Sequence, residues 1–185
     1  MLSADEIREL IAQGVIINAK DDAVQPTSLD VHISQHPPKV QAGCWTGYQS
    51  TTDLTPLELD APCEMEELSW RTDANGRHII MPPGAAWLVA TEERLVLPND
   101  LCAQVHGCSS IGRKFLAVHV TAGHIDAGFF GQITLELVNH GHRPIILRPG
   151  ARIAQLVFTR HLPTTPYSGR YAGQMGPTAP RSKDL

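Results

Sequence analysis

No stretch of this chain approaches the roughly 20 consecutive apolar residues that a membrane-spanning helix needs, so a transmembrane protein is not expected. The first residues, MLSADEIREL, have neither the basic start nor the apolar centre of a secretory leader, and a cytoplasmic location is the default expectation. Positive charge is not in excess either. Fifteen Lys and Arg stand against 19 Asp and Glu, a formal net charge of −4, which argues against a general nucleic-acid surface. A small anionic ligand stays compatible, because a pocket can be locally basic inside an acidic protein. The four cysteines, Cys44, Cys63, Cys102 and Cys108, form no CxxC pair and read as reduced thiols rather than disulfides.

Missing signatures narrow the chemistry further. Zinc-dependent nucleoside deaminases use an HxE run with a later PCxxC, and the chain has neither. Cys102, His106 and Cys108 are close in sequence, but alternation would gather them on one face only if a strand ran on through Gly107. No protein-held metal site is expected. There is no GxSxG elbow, and no Cys/His signature marks Cys108 or Ser109 as a nucleophile. The run HGCSSIGRKF (106–115) is not a Walker loop, which needs GxxxxGK followed by Ser or Thr.

What is present reads as one domain of short strands, long enough at 185 residues to bury a real core. Ser3 with Glu6 three residues later makes a capping box; Ile7, Leu10 and Ile11 share a face, and Gly14 is a natural stop. An amphipathic helix is therefore predicted over about 3–13. Short apolar or alternating runs follow at 15–17, 29–33, 86–90, 101–105, 116–120, 132–138, 145–147 and 153–158, separated by PPG, LPND, AGH, NHGH and RPG turns. Such spacing, without long intervening helices, predicts an all-β barrel or sandwich. Residues 40–80, rich in Thr, Pro and acids, read as an inserted arm or irregular hairpin. The tail from Pro163 reads as disordered or as a flap that orders over a ligand. No internal repeat is visible.

Two stretches carry candidate chemistry. In GCSSIGR the glycines free the backbone, the serine hydroxyls add donors, and Arg113 and Lys114 add charge, which suits a phosphate-gripping turn. In HVTAGHIDAGFFGQITLEL, Asp126 sits in a glycine-bracketed turn. Alternation there places Ile133, Leu135 and Leu137 on one face and Thr134, Glu136 and Val138 on the other. Glu136 then either faces solvent, which the alternation alone favours, or points into a pocket, where it could act as a general base on water.

QPTSLDVHI (25–33), GCSSIGR (107–113), TAGHIDAGFFGQITLEL (121–137), PGARIAQLVF (149–158) and RYAGQMGPTAPR (170–181) occur in the order found in the dCTP deaminase and dUTPase superfamily. The tail and the TAGxIDAGF form most resemble the bifunctional dCTP deaminases, which convert dCTP to dUMP. The resemblance implies a mainly β fold, a distorted β-barrel of the dUTPase-like β-clip type with an N-terminal amphipathic helix over residues 1–162. Residues 163–185 would be a flexible flap over the active site. It also implies a homotrimer with active sites between subunits, and deamination without zinc. On this resemblance Glu136 is the general base, and Ser109 and Arg113 position water and base and stabilise developing charge. Asp126 holds the deoxyribose hydroxyl, and Ala122 belongs to the substrate-binding set. Ser110, Arg113, Arg170 and Gln174 surround the triphosphate, Tyr171 helps close the flap, and Mg²⁺ rides on the phosphates. Gln155 matches a motif position with a mainly structural role.

Two positions depart from the family pattern. The family turn reads Gly-Arg-Ser-Ser with its arginine on the phosphates, and Cys108 stands in that place. Losing a charge-assisted contact costs about 1.5–3 kcal/mol, which Lys114 or Arg170 would partly offset. Cys108 is then a tolerated variant, a sign of altered phosphate or nucleotide preference, or a cause of weak turnover. His124 either sits over the base pocket or is a partly exposed histidine without a role. Three other functions stay open: a dCTP deaminase that releases dUTP, a plain dUTPase, and a nucleotide-binding regulator with reduced turnover. The plain dUTPase reading lacks its aromatic-lined uracil hairpin and its RGxGGFGSTG-type tail.

Overall fold

The computed structural model describes residues 1–41 and 63–181. Cys44 and most of the predicted inserted arm lie outside the described residues. The N-terminal helix, α1 (Ala4–Ala12), starts where the capping box places it. The Glu6 N–H donates to Ser3 Oγ, and the Ser3 N–H donates back to Glu6 Oε2 at 2.9 Å. Two otherwise orphaned N–H groups are thus satisfied at the helix start. Ile7 and Leu10 are buried against the strands, and Gly14, at φ +74°, carries the chain out of the helix.

The rest is mainly strand. β1 (Ile16–Ile17), β2 (Leu29–His32), β3 (Lys39–Gln41), β4 (Met65–Glu67), β5 (Arg71–Asp73), β6 (Gly76–Met81), β7 (Ala86–Val96) and β8 (Leu101–Gly107) lead to a single helical turn, α2 (Ser109–Gly112). β9 (Leu116–Ala117), β10 (His124–Ile125), β11 (Phe130–Asn139), β12 (Ile145–Leu147) and β13 (Arg152–Arg160) follow. One sheet has the order β4-β3-β7-β11-β9, with β1 also on β7; a second runs β10-β8-β13-β2, and a third β12-β6-β5. Together they form a distorted barrel around one apolar core, in which Trp87, Leu95, Leu101, Leu135, Leu137 and Phe158 are fully buried. Each such side chain removed from water contributes about 1.5–3 kcal/mol, so the core fixes which face of each strand turns inward.

Three details differ from the predicted elements. The segment 71–81 is a regular hairpin of β5 and β6, its turn closed by the Asn75 N–H donating to Asp73 Oδ1 at 2.8 Å. The run read from the sequence as a phosphate-gripping turn folds as one turn of helix, α2. The strand predicted over 116–120 pairs only at its first two residues; further along, the Val120 N–H donates to the Glu136 carboxylate (3.2 Å).

β7 and β11 form the long antiparallel pair that supports the site. Their register slips once: Gln132 faces Arg94 while Thr134 faces Ala90, so two steps along β11 match four along β7. Thr91, fully buried at the slip, accepts the Ile133 N–H on Oγ1 (3.1 Å), and its hydroxyl donates to the Glu93 carbonyl (2.7 Å). Glu93, also buried, accepts the His32 N–H (2.9 Å) and sits 2.7 Å from His32 Nδ1. Thr91 thus takes up two backbone groups at the irregularity, the Ile133 N–H and the Glu93 carbonyl.

Candidate active site

Beyond the slip, β11 alternates as the sequence suggests, with Ile133, Leu135 and Leu137 buried and Thr134, Glu136 and Val138 half-buried. The outward face is covered rather than open to solvent. Glu136, opposite Leu88 on β7, lines a cavity of about 370 Å³. Its Oε2 accepts the Val120 N–H, which fixes the carboxylate, and among the described residues no donor is bonded to Oε1. Of the two readings of this strand, the structure takes the pocket-lining one.

The opposite wall comes from the loop into β10 and the turn after it. Ala122, His124 and Asp126 line the cavity, with His124 Nε2 3.3 Å from Asp126 Oδ1 and both side chains more than half exposed. The roof is the C-terminal tail. The Gln132 N–H donates to the Gln174 carbonyl (3.0 Å), and Gln174 Nε2 donates to the Gln132 carbonyl (2.8 Å). The Gly176 N–H donates to Gln132 Oε1 (2.7 Å), and the Thr178 N–H donates to Thr134 Oγ1 (3.1 Å). Tyr171, Gln174 and Pro180 are thereby held over the cavity. Two glycines permit this close approach. A Cβ on Gly131, at φ +138°, would stand 2.7 Å from the Gln174 carbonyl oxygen, and one on Gly128, at φ +82°, would stand 2.5 Å from Pro166 Cβ.

The cavity thus unites Ala122, Asp126, Glu136, Tyr171 and Gln174. Ser109, Ser110, Arg113, Cys108 and Arg170 do not line it. Arg170 lies at the outer surface of the tail, where it donates to the Arg181 carbonyl; its guanidinium and that of Arg181 lie 6.0 and 5.9 Å from the Tyr171 ring centroid. Ser109, Ser110 and Arg113 lie together, exposed, on and beside α2. Cys108 caps that turn and is buried, with only 7% of its surface exposed. Burial pushes its thiol pKa up, and the nearby Asp30 carboxylate, with Oδ1 3.9 Å from Sγ, pushes the same way. The thiolate is therefore disfavoured, which does not suit a nucleophile.

Asp30 and Arg152 were not singled out by sequence reasoning. Asp30 of β2 is buried and takes the Arg152 Nη1 donor at 3.0 Å and the Gln25 Nε2 donor at 3.3 Å. Arg152 Nη2 in turn donates to Ser110 Oγ at 3.3 Å. The available signal was an acid flanked by buried apolar residues in SLDV, which demands a partner. Among the described residues no three His, Cys, Asp or Glu side chains converge in a way that could hold a metal ion.

A family model described as dCTP deaminase-like matches residues 1–161. The chain is 37% identical over 193 residues to the dCTP deaminase, dUMP-forming, of Dictyoglomus thermophilum, covering 98% of this chain and 94% of that one. It is 37% identical over 191 residues to the dCTP deaminase of Natronomonas pharaonis, again covering 98% and 94%. Among solved structures, the 2′-deoxycytidine 5′-triphosphate deaminase of Agrobacterium tumefaciens superposes with a TM-score of 0.62 at 23% identity, over 86% of this chain and 47% of that one, a likeness of fold. A domain-wide model match and relatives above one-third identity along nearly the whole length lead to one conclusion: the chain belongs to the dCTP deaminase-like family.

Proposed function

We propose that this protein deaminates dCTP without zinc and carries the product on to dUMP and pyrophosphate. The observation that carries this reading is the half-buried Glu136 carboxylate, oriented by the Val120 N–H and facing a roofed cavity of nucleoside size. Glu136 takes a proton from water as the water oxygen bonds to the amino-bearing carbon of cytosine. The tetrahedral adduct then collapses, the C–N bond breaks, and the proton held by Glu136 leaves with the amino group as ammonia. Asp126 accepts the deoxyribose hydroxyl, Ala122 packs beside the nucleoside, and Tyr171 and Gln174 close over it.

Ser109, Ser110 and Arg113 sit outside this cavity in one chain, which suits a homotrimer whose sites lie between subunits. The α2 turn of one copy would meet the cavity of the next, with Ser109 and Arg113 at the reacting base and Ser110, Arg113 and Arg170 at the phosphates. Magnesium would supply charge neutralisation on the triphosphate, held by phosphate oxygens rather than by a protein cage. The dUMP-forming names of several relatives favour the double reaction over simple release of dUTP.

The test is to incubate the protein with dCTP and Mg²⁺ and follow ammonia and pyrophosphate. Both products, in equal amounts, are expected. Ammonia alone would restrict the activity to deamination, and neither product would overturn the reading.

A further inference from the structure

Cys108 leaves the entrance of the Ser109–Arg113 turn without a cation, and we propose that Arg152 returns that charge from a different strand, binding the substrate triphosphate together with Ser110. This rests on the nucleotide reading above. Arg152 opens β13, which pairs with the end of β8 at Ala154 and Gly107 and so runs beside the chain as it enters α2. Its guanidinium is held at two points. Nη1 donates to Asp30 Oδ2 at 3.0 Å, and Nη2 donates to Ser110 Oγ at 3.3 Å. The Asp30 side chain is 7% exposed whereas that of Arg152 is 48% exposed, so one edge is anchored in the protein and the rest is presented to solvent.

The chemistry of the group fits this placement. Guanidinium has five N–H donors in a planar fork, and among the described residues two of them are engaged. A buried carboxylate that fixes such a fork removes much of the side-chain ordering cost that anion binding would otherwise incur. The free edge, next to a serine hydroxyl, matches the geometry of phosphate oxygens.

The same contacts account for the cysteine. Cys108 Sγ lies 3.9 Å from the Asp30 carboxylate that holds Arg152. An arginine at position 108 would compete for Asp30, and the small neutral thiol leaves that carboxylate to the strand residue.

Arg152→Gln alone leaves the buried Asp30 charge without its cation, with Gln25 as a neutral donor, which destabilises the fold whether or not Arg152 binds phosphate. The decisive variant is therefore Asp30→Asn combined with Arg152→Gln, which removes both charges. Binding of dCTP, inorganic tripolyphosphate and deoxycytidine is measured on the full chain, together with the melting temperature. The double variant is expected to melt near wild type, to bind dCTP and tripolyphosphate at least ~10-fold more weakly, and to bind deoxycytidine unchanged. A stable double variant with wild-type affinity for dCTP would overturn the proposal, because Arg152 would then serve only to neutralise Asp30. Equal weakening toward deoxycytidine would also overturn it, since the loss would not be specific to phosphate. Wild-type protein that binds tripolyphosphate through Arg152 yet releases no ammonia from dCTP would support this inference while overturning the deaminase reading.

Discussion

A single carboxylate decides the chemistry proposed for this fold. Glu136→Gln keeps the side-chain volume and can still accept the Val120 N–H through its amide oxygen, but it cannot take a proton from water. Ammonia release is expected to fall by about 10²–10⁴-fold while dCTP binding by calorimetry stays within about twofold, and an active variant would remove Glu136 from its role. Cys108 offers a pH test. Because burial and then Asp30 raise its pKa, the thiolate is disfavoured in the folded state and present in the unfolded state at lower pH. Iodoacetamide should therefore modify Cys63 and Cys102, both partly exposed, ahead of Cys108. Labelling of Cys108 should rise only above the usual thiol range or after unfolding, as followed by mass spectrometry. At this scale Glu136 was legible because alternation alone gives its face; what covers that face was not. The Asp30–Arg152 pair was illegible for a plainer reason: its members are 122 residues apart and meet only through the β2–β13 ladder.

Among the elements, α1 was readable from local chemistry, since a capping box and a glycine stop act within a few residues. The buried strands were readable from their apolar runs. β5 was not, because Arg71, Thr72 and Asp73 are all exposed and show no alternation; the hairpin is made by pairing with β6 and by the Asp73–Arg148 ion pair at 3.0 Å. β9 was overextended because its apolar run continues to Val120 while only Leu116 and Ala117 pair with β11. The tail shows how an irregular element can still be placed, by side chains and carbonyls of Gln132 and Thr134. Gly131→Ala would drive a Cβ against the Gln174 carbonyl in a backbone region that favours glycine. The tail should then detach: trypsin should cut after Arg170 several-fold faster, and KM for dCTP should rise. Unchanged cleavage would mean that the tail's other bonds suffice to hold it.

For the whole molecule, the separation of the cavity residues from Ser109, Ser110 and Arg113 makes the assembly testable by mixing. If the sites lie between subunits as proposed, Glu136→Gln and Arg113→Ala chains, each expected to be inactive, should regain activity when unfolded and refolded together, because a mixed assembly would then contain sites with an intact cavity from one chain and an intact turn from the other. No regain would place both residues in the service of a single chain. Phe115 and Val120, 67% and 60% exposed and close to this turn in sequence, are apolar surface suited to such an interface. The register slip at Ile133 governs how the molecule tolerates changes of length. Because β7 gains two residues over β11 there, every side chain on either side keeps its parity. Growth or loss of chain at this point is thus quantised in pairs: one residue added after Glu92 would turn Leu95 outward, whereas two would leave it facing the core. Of two such insertion variants, the longer should melt at the higher temperature.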